Sequence, residues 1–156
     1  MRQRYRPPRG PFLEARSQLK VRFHEVDSLR IVWHGHYFTY FEQGREALSK
    51  YGLSYTSMLE DRIRAPIIHA SCDYAKPALY GDTVEVISRL HYSRAAKLEI
   101  SFKIVRVSDG AHLASGWTVQ AFTDLEGRLL LNQPTLLREL YERWASELSA
   151  SEDRDD

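Results

Sequence analysis

One helix-length apolar stripe limits what this chain can fold into more than any other feature. Tyr37, Tyr40, Phe41, Gly44, Ala47, Leu48 and Tyr51 fall at i, i+3, i+4, i+7, i+10, i+11 and i+14, one face of an α-helix. Glu42, Gln43, Arg45, Glu46 and Lys50 lie mostly off that face, and Gly52 stands where a left-handed terminator belongs. The helix starts near Gly35 and needs a broad apolar partner. The rest of the chain supplies that partner as strands.

Leu19, Val21 and Phe23 alternate with Lys20 and Arg22, so a half-buried strand precedes the helix. After Gly52 the pattern predicts a short helix around Thr56 to Glu60, and Pro66 then opens a strand that runs through Ala75 and closes at Pro77. Val84, Val86, Ser88, Leu90 and Tyr92 share one strand face, followed by a loop at Ser93 to Ala96. Leu98, Ile100, Phe102 and Ile104 share the next. Asp109-Gly110 makes a tight turn into Leu113, Ser115, Trp117, Val119 and Ala121. Leu125 to Arg128, containing Gly127, reads as another turn. Pro134 opens a final helix whose stripe is Leu137, Leu140, Tyr141, Trp144 and Leu148.

Strands that follow one another without helical crossovers pair antiparallel, which gives an α+β fold with a curved sheet wrapped around the first helix. One sheet around one helix leaves an edge strand exposed, and dimerisation is the expected remedy.

Composition narrows the classes. At 156 residues the chain reads as a single domain over 17–148, with a flexible basic tail over 1–16 and an acidic tail over 149–156. Twenty-two basic and 21 acidic residues leave a formal charge of +1, so no nucleic-acid surface is expected. No apolar run is long enough for a membrane span, and the one cysteine, Cys72, fits a reducing compartment; the expected location is cytoplasmic. Cys72 sits in a strand that reads as packed, which makes it an inert core thiol rather than a nucleophile.

The chemistry concentrates between the first strand and the helix. Asp27 and His34 stand beside a helix start whose backbone amides, at Gly35, His36 and Tyr37, are placed to polarise a carbonyl oxygen. Carboxylates carry their charge at neutral pH, so Asp27 can attack an acyl carbon or deprotonate a water; the sequence leaves that choice open. His24 and Glu25 flank the same place. Asp27 with His34 and His36 lacks the further ligands a metal site needs, so no metal is expected.

Two blocks carry a resemblance. The first is Asp27, then Ile31-Val32-Trp33-His34, Tyr37 and Phe41-Glu42; the second is Cys72-Asp73-Tyr74-Ala75-Lys76-Pro77 with Gly81-Asp82-Thr83-Val84-Glu85-Val86. In order and spacing they resemble the hotdog-fold thioesterases of the 4-hydroxybenzoyl-CoA thioesterase and YbgC-like acyl-CoA thioesterase branch, over roughly Leu19 to Leu131. The departures are Leu29 and Arg30, where that family has small residues, and His36, where it often has Asn or Ser.

The resemblance implies hydrolysis of an acyl-CoA or aroyl-CoA thioester to free acid and CoA, with Asp27 and His34 catalytic and CoA entering only as part of the substrate. No cofactor is implied. It places the nucleotide of CoA at Ser93, Arg94 and Lys97, whose cations suit phosphates. Leu29, Arg30, Trp33 and Glu42 would shape the acyl pocket, Glu42 as a lining residue rather than as the rival acid on the central helix. It also implies a homodimer with sites at the protomer interface, assembled further into a homotetramer. The alternatives are an acyl-carrier-protein thioester as substrate, or a module that binds acyl thioesters without turnover.

Overall fold

Antiparallel pairing accounts for every contact in the main sheet. The computed structural model describes residues 5–152. Its five-stranded sheet runs in the order β1 (Phe12–Lys20), β4 (Thr83–His91), β5 (Lys97–Arg106), β6 (His112–Ala121) and β3 (Ile67–Tyr74). β2 (Ile63–Arg64) and β7 (Thr123–Asp124) form a separate two-stranded ladder. α1 (His36–Ala47) lies across the inner face, α2 (Tyr55–Glu60) follows it, and α3 (Thr135–Arg143) with α4 (Ala145–Glu152) close the chain. No helix among the described residues is long and apolar enough to cross a membrane.

The predicted stripe is the face that α1 buries: Tyr37, Tyr40, Phe41 and Gly44 are buried, and a 3-10 turn over Leu48–Tyr51 prolongs the element to Gly52 at φ 96°. Two glycines let helix and sheet approach closely. A Cβ on Gly44 would sit 2.4 Å from Ser88 Oγ, and one on Gly116 of β6 would sit 2.2 Å from the Phe41 ring. Phe41 fills that space and stacks on Phe102 with ring centres 4.8 Å apart. The α+β fold with a sheet wrapped around one helix is as expected.

The first expected strand shifts towards the N-terminus. β1 begins at Phe12, so Phe12 to Arg16 belong to the sheet rather than to a solvated tail, while residues 1–4 lie outside the described residues. Tyr5 stacks on Trp117 with ring centres 4.1 Å apart and donates to Glu99 Oε1 at 3.0 Å, so this residue lies against the sheet while residues 6–10 are exposed. At its other end β1 stops at Lys20, and Phe23, expected on its buried face, is 79% exposed in a 3-10 turn over Phe23–Glu25.

The expected final helix breaks at Trp144, whose indole donates to the Tyr51 carbonyl at 3.1 Å. The acidic tail is also shorter than expected, because Ser149 to Glu152 continue α4; residues 153–156 lie outside the described residues.

The two sheet edges differ. α4 packs against β1. β3 pairs with β6 on one side only, and Ile67, Ile68 and Tyr74 are exposed along it.

Candidate active site

A small hairpin presents Asp27. Glu25 ends the 3-10 turn by reaching back, its carboxylate accepting from the Arg22 amide at 2.8 Å. Val26 then bridges Val32, and between them the Asp27 amide donates to the Ile31 carbonyl at 2.9 Å while the Arg30 amide donates to the Asp27 carbonyl at 2.9 Å. Asp27 Oδ1 accepts from the Leu29 amide at 2.8 Å, as aspartate does in Asx turns. Arg30 closes the turn at φ 63°, the left-handed conformation that a small residue adopts at least cost. Asp27 is therefore a half-buried residue whose carboxylate is held by its own turn.

The hairpin is anchored next to the tip of α1. The Val32 amide donates to the Ala78 carbonyl and the Trp33 amide to the Glu25 carbonyl, both at 2.9 Å. Arg106 steadies the facing loop through Asp82 at 3.0 Å and the Pro77 carbonyl at 3.1 Å. Tyr37, buried in the first turn of α1, accepts from the Ala78 amide at 3.0 Å, and burial raises its pKa. The Trp33 ring lies over Gly35, where a Cβ would come within 2.2 Å of it.

Of the three candidate oxyanion donors, the His36 amide is engaged by the Trp33 carbonyl at 2.9 Å. The Gly35 and Tyr37 amides have no acceptor among the described residues, as the first N–H groups of a helix usually lack one within the helix. His34 is exposed just before them, its ring 5.0 Å from that of Trp33 and its carbonyl taken by the Tyr74 hydroxyl at 2.7 Å. Asp27, Trp33, His34, Gly35, His36 and Tyr37 thus share one end of the protomer.

Residues 21–145 match the family model of the thioesterase-like superfamily. The chain belongs to that superfamily. A protein of Aquifex aeolicus (strain VF5) that bears an esterase name is 33% identical over 96 residues, which span 61% of this chain and 71% of that protein. A Bacillus subtilis (strain 168) protein named for acyl-CoA thioesterase activity is 34% identical over 73 residues, 46% of this chain and 53% of that protein. Among solved structures, a 1,4-dihydroxy-2-naphthoyl-CoA thioesterase from Synechocystis superposes with a TM-score of 0.73 at 20% identity, covering 81% of this chain and 94% of that one. That likeness establishes a shared hotdog fold.

In this member of the superfamily the expected CoA residues lie at the other end of the sheet. Ser93 and Arg94 follow β4 and Lys97 opens β5, whereas Asp27 adjoins the Thr83 end of β4. Nine residues of β4 separate the two ends, roughly 30 Å at the usual rise per residue. Ser93 Oγ accepts from the Ala95 amide at 3.0 Å, Lys97 pairs with Glu99 at 3.1 Å, and Arg94 is exposed. One protomer therefore does not unite the two groups.

The expected acyl-pocket residues also separate. Leu29 is 74% exposed and Arg30 is exposed at the hairpin tip, and Trp33 covers Gly35. Glu42 instead faces a groove of about 1360 Å³ between α1 and α2, bordered also by Thr39, Met58, Ile63, Leu98 and Gln120. Glu42 pairs there with Arg45. No spacing rule announces this groove, because its walls come from α1, α2, β2, β3, β5, β6 and β7 as well as the turns between them.

Cys72 proves to be a half-buried residue of the open edge strand rather than a fully packed one, and burial pushes its thiol up to about 11 from 9.0. Below pH 9 both folded and unfolded chains keep the proton. Between pH 9 and about 11 only the folded chain does, so this group's contribution to stability is lost as pH rises through that window. Iodoacetamide should accordingly alkylate Cys72 at pH 8 about a hundredfold more slowly than it alkylates the unfolded chain, two pKa units being a hundredfold in thiolate. Pseudo-first-order rates from pH 7 to 11, with and without urea, measure this directly.

Proposed function

We propose that the protein hydrolyses the thioester of an acyl-CoA or aroyl-CoA, with Asp27 as the reacting carboxylate and the Gly35 and Tyr37 amides as the oxyanion site. The observation that carries this reading is the pair of unengaged helix-tip amides at the same end as Asp27. As the thioester carbon becomes tetrahedral, its oxygen gains charge, and donors fixed beforehand stabilise that charge without reorganising. Asp27 then acts either as the nucleophile, giving an acyl anhydride that water opens, or as the base that takes a proton from water. Both routes release the acid and the CoA thiol. Neither needs a resident cofactor, and the expected compartment is the cytoplasm.

The working unit is a homodimer joined through β3. Two-fold antiparallel pairing of this open edge sets the Tyr74 end of one protomer beside the Ile67 end of its partner. The partner's Ser93–Lys97 loop lies at that Ile67 end of the sheet, so dimerisation brings it towards Asp27 and answers the separation seen in one protomer. Further pairing of dimers into a homotetramer belongs to the same proposal. A thiol-release screen over short, long and aromatic acyl-CoAs, with an acyl-carrier-protein substrate alongside, tests the reading. Saturable release from at least one CoA ester is expected. Saturable binding of every ester without thiol release would leave only a binding module.

A further inference from the structure

Tyr74 ends β3, and its hydroxyl donates to the carbonyl of His34 at 2.7 Å, forty residues back in the chain. That carbonyl and the Gly35 N–H belong to one peptide unit, and the described residues contain no cis peptide bonds. In a trans unit the two groups point in opposite directions from one rigid plane, so a bond that fixes the carbonyl also fixes the N–H. The Gly35 N–H is one of the two helix-tip donors without a protein acceptor among the described residues. A hydrogen bond accepted at the carbonyl also draws electron density from the amide and strengthens it as a donor.

The clamp is itself held in place. The Tyr74 ring stands edge-on to Tyr37, with centres 5.0 Å apart at 90°, and Tyr37 is fixed by the Ala78 amide. Partial burial and the adjacent Cys72 thiol raise the Tyr74 pKa, so the phenol keeps its proton and remains a donor at neutral pH. The Trp33 ring packs against Gly35, where a Cβ would come within 2.2 Å of it.

We propose that Tyr74 is a positioning residue for thioester hydrolysis, which aims and polarises the Gly35 amide through the shared His34–Gly35 peptide without touching the substrate. The inference rests on the thioesterase reading, and it extends the site onto the open edge strand. It also ties the edge that joins two protomers to the donor that meets the oxyanion.

The test is Tyr74→Phe in the full-length protein, which keeps the ring against Tyr37 and removes only the hydroxyl. With an acyl-CoA that the wild type cleaves, kcat should fall about tenfold, less than the hundredfold or more for an oxyanion donor removed outright, because a loosened amide still donates part of the time. KM should stay within about twofold. Incorporating 3-fluorotyrosine at position 74, a more acidic donor, should restore activity to at least the wild-type level at pH 7. The Gly35 amide resonance in an ¹⁵N–¹H spectrum should move upfield in Tyr74→Phe, and that readout needs no turnover.

An unchanged kcat per folded molecule overturns the proposal, as does a raised KM at constant kcat, which would make Tyr74 a substrate contact. An unmoved Gly35 resonance overturns it too. If the wild type releases no thiol from any ester, the thioesterase reading fails on its own. The resonance then still reports whether the clamp exists.

Discussion

Asp27→Asn is expected to lower kcat for thiol release by about 10²–10⁴-fold, the range for removing a positioned acid–base group, while leaving the fold intact. The geometry makes this substitution unusually clean. Asp27 Oδ1 accepts the Leu29 amide at 2.8 Å, and an asparagine oxygen can accept the same bond. Asparagine therefore keeps the turn and removes only the charge and the basicity. Asp27→Ala removes both, and should lower Tm by about 3 °C for about 1 kcal/mol of lost turn hydrogen bonding, in addition to the catalytic defect. Steady-state kinetics and thermal melts on the pair separate the two roles of one side chain. Equal turnover by wild type and Asp27→Asn would remove Asp27 from the mechanism, leaving the helix-tip amides without a reacting partner.

How much of this was legible depends on whether local spacing or tertiary contact sets each feature. The α1 stripe, the terminating Gly52 and the Asp109-Gly110 turn follow from chain periodicity and left-handed backbone, and all three stand where expected. β1 was harder to read. Its inward positions run Leu13, Ala15, Ser17 and Leu19, and two small residues in the middle mute the alternation beside a Pro- and Arg-rich stretch. The expected alternation ran on to Phe23 because nothing local announces the 3-10 turn; it depends on Glu25 folding back onto the Arg22 amide.

The break at Trp144 has the same kind of origin, an indole drawn to a carbonyl ninety-three residues away. In the site, the residue types beside the helix start pointed to Asp27 and the helix amides. Which amide is free did not follow, because the Trp33 carbonyl that consumes the His36 N–H is a backbone group and leaves no mark in side-chain identity. Tyr74 escaped for that reason as well, since its partner is a carbonyl. The distance between Asp27 and the Ser93–Lys97 loop reflects a strand's length, and only the sheet order turns that length into opposite ends of one protomer.

Gly116→Ala carries the largest expected effect on stability. β6 presents Gly116 in extended backbone, so alanine is conformationally allowed there and the whole cost is steric. The new methyl would lie 2.2 Å from both Cε2 and Cζ of Phe41. That ring cannot retreat easily, because it is buried, stacked on Phe102 at 4.8 Å and met edge-on by Phe38 at 5.7 Å. Overpacking of this kind costs about 1–3 kcal/mol, and the confinement on both sides argues for the upper end. At about 2–4 °C per kcal/mol for a chain of this size, Tm should fall by roughly 6–12 °C when measured at one fixed protein concentration.

Gly44→Ala should cost less. It meets Ser88 Oγ at 2.4 Å and Val86 Cγ1 at 2.6 Å, but it regains about 1 kcal/mol of helix propensity. The decisive comparison is Gly116→Ala combined with Phe41→Leu, in which the smaller side chain vacates the space that the methyl needs. If the clash with Phe41 is the cause, the double variant should be less destabilised than the sum of the two single ones by more than 1 kcal/mol, within the usual range of coupling between touching residues. Additive melting shifts would mean that α1 rides further from the sheet than these contacts place it, and the helix tip that holds the Gly35 and Tyr37 amides would move with it.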